Sequence, residues 1–392
     1  MSGVVERMKG RLNYARCCAV VLATTLLFLS ACAGPPDAII GVEDPSVSLA
    51  SQSKIKSRDV YILTTRAVSD NPALLFSGER GMGLGLAKVR VTIPPNHKIG
   101  HIERAGTLPP DPRKSFTIID PEVFPTEASF VSDLHREIQS HPVTDRDLLL
   151  FVHGFNTTLT DAIVRTAQFA HDMNFSGIPV VFSWASKGNL LDYVYDLNST
   201  LVARDRLVEG ANLLERASPS GFDVVAHSMG NFLTMEAIRQ AAMQRKFNTT
   251  RKIKTVILAS PDIDVDVFET QIKALPRSQR KFYVLIAKND KALGFSKKIA
   301  GGVSRVGDAE ADQLAKLGVT VVDLTQIQDT SSLNHTKFAE APEVVKLIGH
   351  QLSKGNSLET RNEEPGVARG VVQSIANIPV SVSGNGHLIV LP

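Results

Sequence analysis

The sequence predicts an α/β protein with a mainly parallel central sheet and helices on both faces. Three observations lead there. From about residue 125, short apolar runs alternate strictly with amphipathic stretches of helical spacing, the pattern of successive βαβ units. The apolar runs are uninterrupted rather than alternating, as expected of strands covered on both faces. The Gly, Ser, His and Asp residues that carry chemistry fall just after those runs, where open α/β sheets assemble their sites.

The N-terminus has a separate purpose. Arg7, Lys9, Arg11 and Arg16 stand against Glu6, the apolar run Cys17 to Leu29 follows, and Leu29-Ser30-Ala31-Cys32-Ala33-Gly34 closes the segment. This is the order of a secretory signal, and the apolar run is too short for a spanning helix of about 20 residues. Leu-Ser-Ala-Cys also resembles the lipobox of bacterial lipoproteins. That resemblance makes residues 1–31 a lipoprotein-type signal peptide and Cys32 the lipidated first residue of the mature chain. It implies a lipid anchor in the bacterial cell envelope, at the outer membrane facing the periplasm in a Gram-negative cell, because Ala33 rather than Asp follows Cys32. A plain secretory signal cleaved near Ala31 and an uncleaved anchor are the alternatives.

The 43 Lys and Arg exceed the 40 Asp and Glu by three, and the leader alone holds that excess. The body is neutral, which excludes non-specific binding of nucleic acid. All 3 Cys lie at positions 17, 18 and 32, which excludes a disulfide framework or a Cys-based zinc site in the body. Residues 32–57, rich in Pro, Ser, Gly and Asp, read as a flexible tether.

The domain proper spans residues 58–353. Asp59 to Arg66 is a strand rich in β-branched residues, and Leu86 to Ile93 a second one that ends at Pro94-Pro95. Gly81-Met-Gly-Leu-Gly85 precedes a strand and opens no helix, so it is no nucleotide-binding loop. Helical spacing is expected over 130–140, 160–173, 203–217, 229–244, 267–274, 308–317 and 342–353. Strands are expected over 147–152, 178–183, 222–226, 255–259, 282–287 and 319–324. Residues 354–392 are polar and Gly-rich, a disordered tail or at best an added edge strand.

Ala226-His227-Ser228-Met229-Gly230 occupies the junction of a strand and a helix. A nucleophile elbow needs small residues two before and two after the nucleophile, because backbones crowd there. Ala226 and Gly230 meet that need, which makes Ser228 the candidate nucleophile. Two amide donors for an oxyanion follow from the same logic, one from Met229 and one from Phe155 in the upstream His153-Gly-Phe-Asn156 turn. His153 reads as a structural hydrogen-bonding residue. A serine needs a base and an acid. His335 follows the last strand and Asp290 an earlier one, so the order Ser, Asp, His runs along the chain. Asp262, Asp264 and Asp266 stay open as alternative acids. They lack the Gly and Glu of a calcium loop, and without a His-Glu-x-x-His string no metal or other cofactor is expected.

Residues 59 to about 350 resemble the bacterial α/β-hydrolase family of unknown function, esterase/lipase-like. The resemblance rests on Val60-Tyr-Ile-Leu-Thr-Thr-Arg66, Phe76-Ser-Gly-Glu-Arg80, Val91-Thr-Ile-Pro94, Val152-His-Gly-Phe-Asn156, Phe182-Ser-Trp-Ala-Ser-Lys-Gly188, Ala226-His-Ser-Met-Gly-Asn231 and Lys288-Asn-Asp-Lys-Ala-Leu293. It implies the α/β-hydrolase fold and a triad of Ser228, Asp290 and His335, and it leaves the substrate open. Ala185 stands where the family usually has Pro. Trp184 either covers the sheet or lines an acyl pocket, Arg66, Glu79 and Arg80 suggest a structural ion pair, and Asp196 and Arg204 fall in a segment that could form a small cap.

The expected function is therefore a serine carboxylesterase acting on a small ester or acyl substrate. The segment near Asp196 is no long lid insertion, which disfavours an interfacial lipase. An acyltransferase with the same triad and a weakly catalytic envelope binding module are the competing readings. The oligomeric state is not legible.

Overall fold

The computed structural model describes residues 54–327 and 333–354 and the strands at 372–375, 378–382 and 388–390. The signal peptide, Cys32 and all but the end of the tether lie outside the described residues.

The chain begins antiparallel and then turns parallel. β1 (Lys56–Val68), β2 (Phe76–Ile93) and β3 (Thr117–Val123) form a meander at one edge. α1 (Glu127–Ser140), β4 (Asp147–Val152), α2 (Leu159–Asp172), β5 (Ile178–Ser183), α3 (Tyr193–Arg216), β6 (Gly221–His227) and α4 (Met229–Met243) build the centre. β7 (Ile253–Ala259), α5 (Val265–Lys273), β8 (Phe282–Ile286), α6 (Lys291–Ile299), α7 (Ala311–Ala315), β9 (Thr320–Asp323), α8 (Lys337–Glu340) and α9 (Pro342–Lys354) complete it. β10 (Val372–Ile375), β11 (Ile378–Val382) and β12 (Leu388–Val390) close the far edge, in the segment expected to be disordered or at most to add an edge strand. The sheet order is β10-β11-β12-β9-β8-β7-β6-β4-β5-β1-β2-β3. All neighbours from β1 through β9 to β12 along that order run parallel.

Alternation along the central strands divides the core. Leu148, Leu150 and Val152 of β4 face one apolar layer beneath α1, α3, α4 and α5. Leu149 and Phe151 face the other, where Phe169 of α2, Phe338 of α8 and Val345 of α9 pack. Both faces are covered, so the strands read as continuous apolar runs. The helices start where local chemistry satisfies their first amides: Thr126 with Ser129 caps α1, and Thr158 with Asp161 caps α2.

Besides the tail strands, β3, α6, α8 and the start of α3 depart from the sequence reading. β3 carries Pro121 and is mostly exposed, as an edge strand permits, so it has no apolar signature. α6 is short and contains Gly294. α3 starts at Tyr193, ten residues before the expected helix, because its first turns leave Val194, Leu201 and Val202 exposed and blur the 3.6-residue period.

Candidate active site

β6 ends at His227, and α4 begins at Met229; Ser228 is the single residue between them, with φ 52° and ψ −124°. That backbone conformation is costly for a residue with a Cβ, and Asn156 after β4, Ser260 after β7 and Asn334 beside His335 also have positive φ. Ser228 is anchored by its own backbone: its N–H donates to Ala259 O (3.0 Å), and its carbonyl accepts from the amides of Asn231 (3.1 Å) and Asp262 (3.2 Å). The Asn231 side chain donates to the same carbonyl (3.0 Å) and to Ala259 O (2.9 Å).

Two glycines let the chain close around this turn. A Cβ on Gly230 would lie 2.2 Å from the carbonyl oxygen of His153. A Cβ on Gly154 would lie 2.8 Å from the Cβ of Ser228. The loop after β4 is thereby brought against the turn after β6, which puts Phe155 and Met229 in adjoining segments. Met229 is the first residue of α4, so its amide has no intrahelical acceptor. Phe155 packs its ring edge-on against Tyr193, centroids 5.2 Å apart.

Asp290 and His335 meet. Nδ1–H of His335 donates to Oδ2 of Asp290 at 2.7 Å, which fixes the tautomer and leaves Nε2 able to accept a proton. Oδ1 of Asp290 accepts from the Leu293 amide (3.0 Å) and caps α6, so one carboxylate both starts a helix and holds the imidazole. The other acids are engaged elsewhere. Asp262 accepts from Ser296 Oγ (2.5 Å) and Tyr193 Oη (3.0 Å) and faces Arg305 (3.2 Å). Asp264 caps α5 and Asp266 lies in its first turn.

His227 supports the base. Its Nε2–H donates to the backbone carbonyl of His335 (3.1 Å), and its ring lies between those of His335 (4.7 Å) and Phe338 (4.8 Å). Burial first, then the neighbouring His335, pushes its pKa well below the usual range, so it is a neutral spacer. His153 is also structural: its ring stacks on Trp184 (5.0 Å), and burial, with Arg66 nearby, lowers its pKa to about 3. Trp184 is fully buried and donates to the His153 carbonyl (2.8 Å), which makes it a cover for the sheet.

Two buried charges brace the loop after β4. Arg66 reaches Ser183 Oγ (2.8 Å), Ser186 O (2.8 Å) and Thr157 O (2.7 Å) rather than Glu79, which pairs with Lys187. Asp196 of α3 accepts from Ser186 Oγ (2.5 Å) and from the amides of Lys187 (2.9 Å) and Asn156 (3.3 Å), and its burial raises its pKa. Asp196 is therefore a loop brace and no part of a cap. The one sequence signal for this network was a charge, Arg66, at the end of an otherwise apolar strand. Among the described residues no group of three or more His, Cys, Asp or Glu could hold a metal ion, and no helix is long and apolar enough to cross a membrane.

Comparison with known proteins fits this architecture. The model of the family described as alpha/beta hydrolase of unknown function (DUF900) matches residues 126–351. No curated protein matches the chain in sequence. Similar solved structures include a lipase B of Aspergillus fumigatus, 13% identical, covering 57% of this chain and 57% of that one, with a TM-score of 0.36. The chain thus spans little more than half the length of that lipase. A hyperthermophilic esterase of Pyrobaculum calidifontis is 10% identical, with 78% and 86% covered and a TM-score of 0.37. An esterase of Pyrococcus furiosus is 10% identical, with 82% and 99% covered and a TM-score of 0.33.

Proposed function

Because the chain belongs to the family of α/β hydrolases of unknown function, we propose that it is a serine hydrolase working through an acyl-enzyme, a carboxylesterase held at a bacterial cell envelope by lipid on Cys32. The observation that carries this reading is the 2.7 Å pair of His335 and Asp290, joined through His227 to the turn that bears Ser228.

Ser228 Oγ attacks the ester carbonyl carbon while Nε2 of His335 takes its proton, and Asp290 stabilises the imidazolium that forms. The tetrahedral oxyanion is received by the amides of Met229 and Phe155, each such donor contributing about 10²–10³ in rate. Collapse breaks the bond to the alcohol, which leaves with the proton from His335. Water, deprotonated by His335, then attacks the acyl-enzyme, and Ser228 recovers its proton as the acid departs. The strained φ of Ser228 keeps the hydroxyl at the tip of the turn for the attack. The anchor rests on the leader sequence alone.

The test is hydrolysis of p-nitrophenyl esters, from acetate to palmitate, by the full chain and by Ser228→Ala. The expected result is turnover by the wild type and its loss by several orders of magnitude in a folded variant. Equal rates in both, with no fluorophosphonate labelling of Ser228, would overturn the reading.

A further inference from the structure

Three segments beside the candidate site carry exposed apolar side chains. Leu190, Leu191 and Val194 enter α3, Phe295 and Ile299 lie on α6, and Leu333 precedes His335 by two residues; all are exposed, Leu191 by 92% and Phe295 by 56%. Hydrogen bonds join the three segments beside the site. Tyr193, next to Val194, meets Ser296, next to Phe295, at 2.9 Å, and its ring packs on Phe155. The amide of Lys291 donates to the carbonyl of Leu333 at 2.9 Å, one residue after Asp290. Single exposed apolar residues are ordinary, whereas a group of them on joined segments beside a functional site marks an interaction surface.

Charge identifies the occupant. The sequence of α6 is Lys-Ala-Leu-Gly-Phe-Ser-Lys-Lys-Ile, with Lys291, Lys297 and Lys298 and no acidic residue. Leu293 and Ser296 face inward and Phe295 and Ile299 outward, so apolar side chains and ammonium groups share the outer face. An amphipathic helix that combines outward apolar residues with lysines suits the boundary between anionic headgroups and acyl chains.

We infer that the rim of Leu190, Leu191, Val194, Phe295, Ile299 and Leu333, with the lysines of α6, seats the protein on an anionic lipid surface and presents Ser228 to ester bonds within that surface. The substrate class is then an acyl ester of a lipid. This deepens the proposed hydrolase function and rests on it, and it departs from the expectation that the missing lid disfavours interfacial work: here the rim does without a lid.

The experiment uses the full chain carrying Ser228→Ala and Phe295→Trp, so that insertion is read without chemistry; the only other tryptophan, Trp184, is buried. Phosphatidylglycerol vesicles should shift the emission to the blue, and brominated acyl chains should quench it. Phosphatidylcholine vesicles should do neither, and K291E/K297E/K298E should abolish the response. With Ser228 intact, Leu191→Ser/Phe295→Ser should lose turnover of vesicle phosphatidylglycerol at least tenfold and keep its rate on p-nitrophenyl acetate. An unchanged emission while the chain sediments with phosphatidylglycerol vesicles through its leader overturns the inference, as does an equal response to phosphatidylcholine. A seated rim with no hydrolysis by the wild type would instead condemn the hydrolase reading alone.

Discussion

Nζ of Lys337 lies 2.8 Å from Oδ1 of Asn289, and this contact ties the loop that carries Asp290 to the one that carries His335. The ammonium also donates to the carbonyl of Leu324 (2.9 Å) and is almost fully buried. Replacing it by Met would remove the charged bonds to Asn289 and Leu324, at about 1.5–3 kcal/mol for each hydrogen bond to a charged group. Lys337→Met is expected to lose about 2–4 kcal/mol of stability by urea denaturation and to lower kcat for p-nitrophenyl esters far more than it changes KM, because the acid and base would no longer share a fixed frame. An unchanged kcat in a destabilised protein would make Lys337 a fold residue only.

Ser228 should be a place where stability and activity oppose each other. Its φ of 52° favours glycine, and holding a side chain there costs on the order of 1–3 kcal/mol. Ser228→Gly is expected to raise the unfolding free energy by about 1 kcal/mol, after the entropy cost of glycine, while hydrolysis disappears. Parallel denaturation of Ser228→Ala gives the control, since alanine keeps the strain and loses the hydroxyl.

The parallel core and the three catalytic candidates were legible because each depends on local pattern. Apolar runs mark β4 to β9, the small residues Ala226 and Gly230 mark the elbow, Asp290 stands just past β8, and His335 is a His in the loop that follows the last apolar run. What was not legible depends on contacts between distant positions. Asp196 braces Asn156 from forty residues away, and Arg66 reaches Ser186 across more than a hundred. The role of His227 was not legible because its partner is the backbone of residue 335, and a backbone acceptor leaves no mark in a sequence. β3 and α6 were missed for the opposite reason: Pro121 and Gly294 argue locally against a strand and a helix, and tertiary packing overrides them.

Asp223 is a buried carboxyl outside the site. Burial raises its pKa to about 7, Asp147 adds to the rise, and Thr255 and Lys254 oppose it. The folded value exceeds the ordinary carboxyl value near 4, so the native state binds more protons than the unfolded one between those limits. Stability must then fall as pH rises from about 4 through 7, by roughly 4 kcal/mol in total. Asp223→Asn keeps the shape and cannot ionise. It should melt higher than wild type at pH 8 and nearly with it at pH 4; equal melting at pH 8 would show that Asp223 carries no such cost.

His97 bears on the range above it, through a different geometry. Its Nδ1 meets Glu103 at 2.8 Å and its Nε2 meets Asp172 at 2.7 Å, so the protonated ring bridges two carboxylates. Burial would lower its pKa, but the bonds to Asp172 and Glu103 outweigh burial and hold it raised. The stabilisation is fully present below the unfolded value near 6.5 and is lost as pH climbs through the raised folded value. The loss should reach the site. Asp172 also accepts from the Gly100 amide (2.7 Å), and a Cβ on Gly100 would lie 2.2 Å from the carbonyl of Glu340, so this loop sits directly on α8, just beyond His335. In an Asp223→Asn background, which removes the other titration, His97→Gln should flatten the remaining fall in melting temperature between pH 6 and 9. A fall that persists unchanged in that double variant would exclude the His97 bridge as its source.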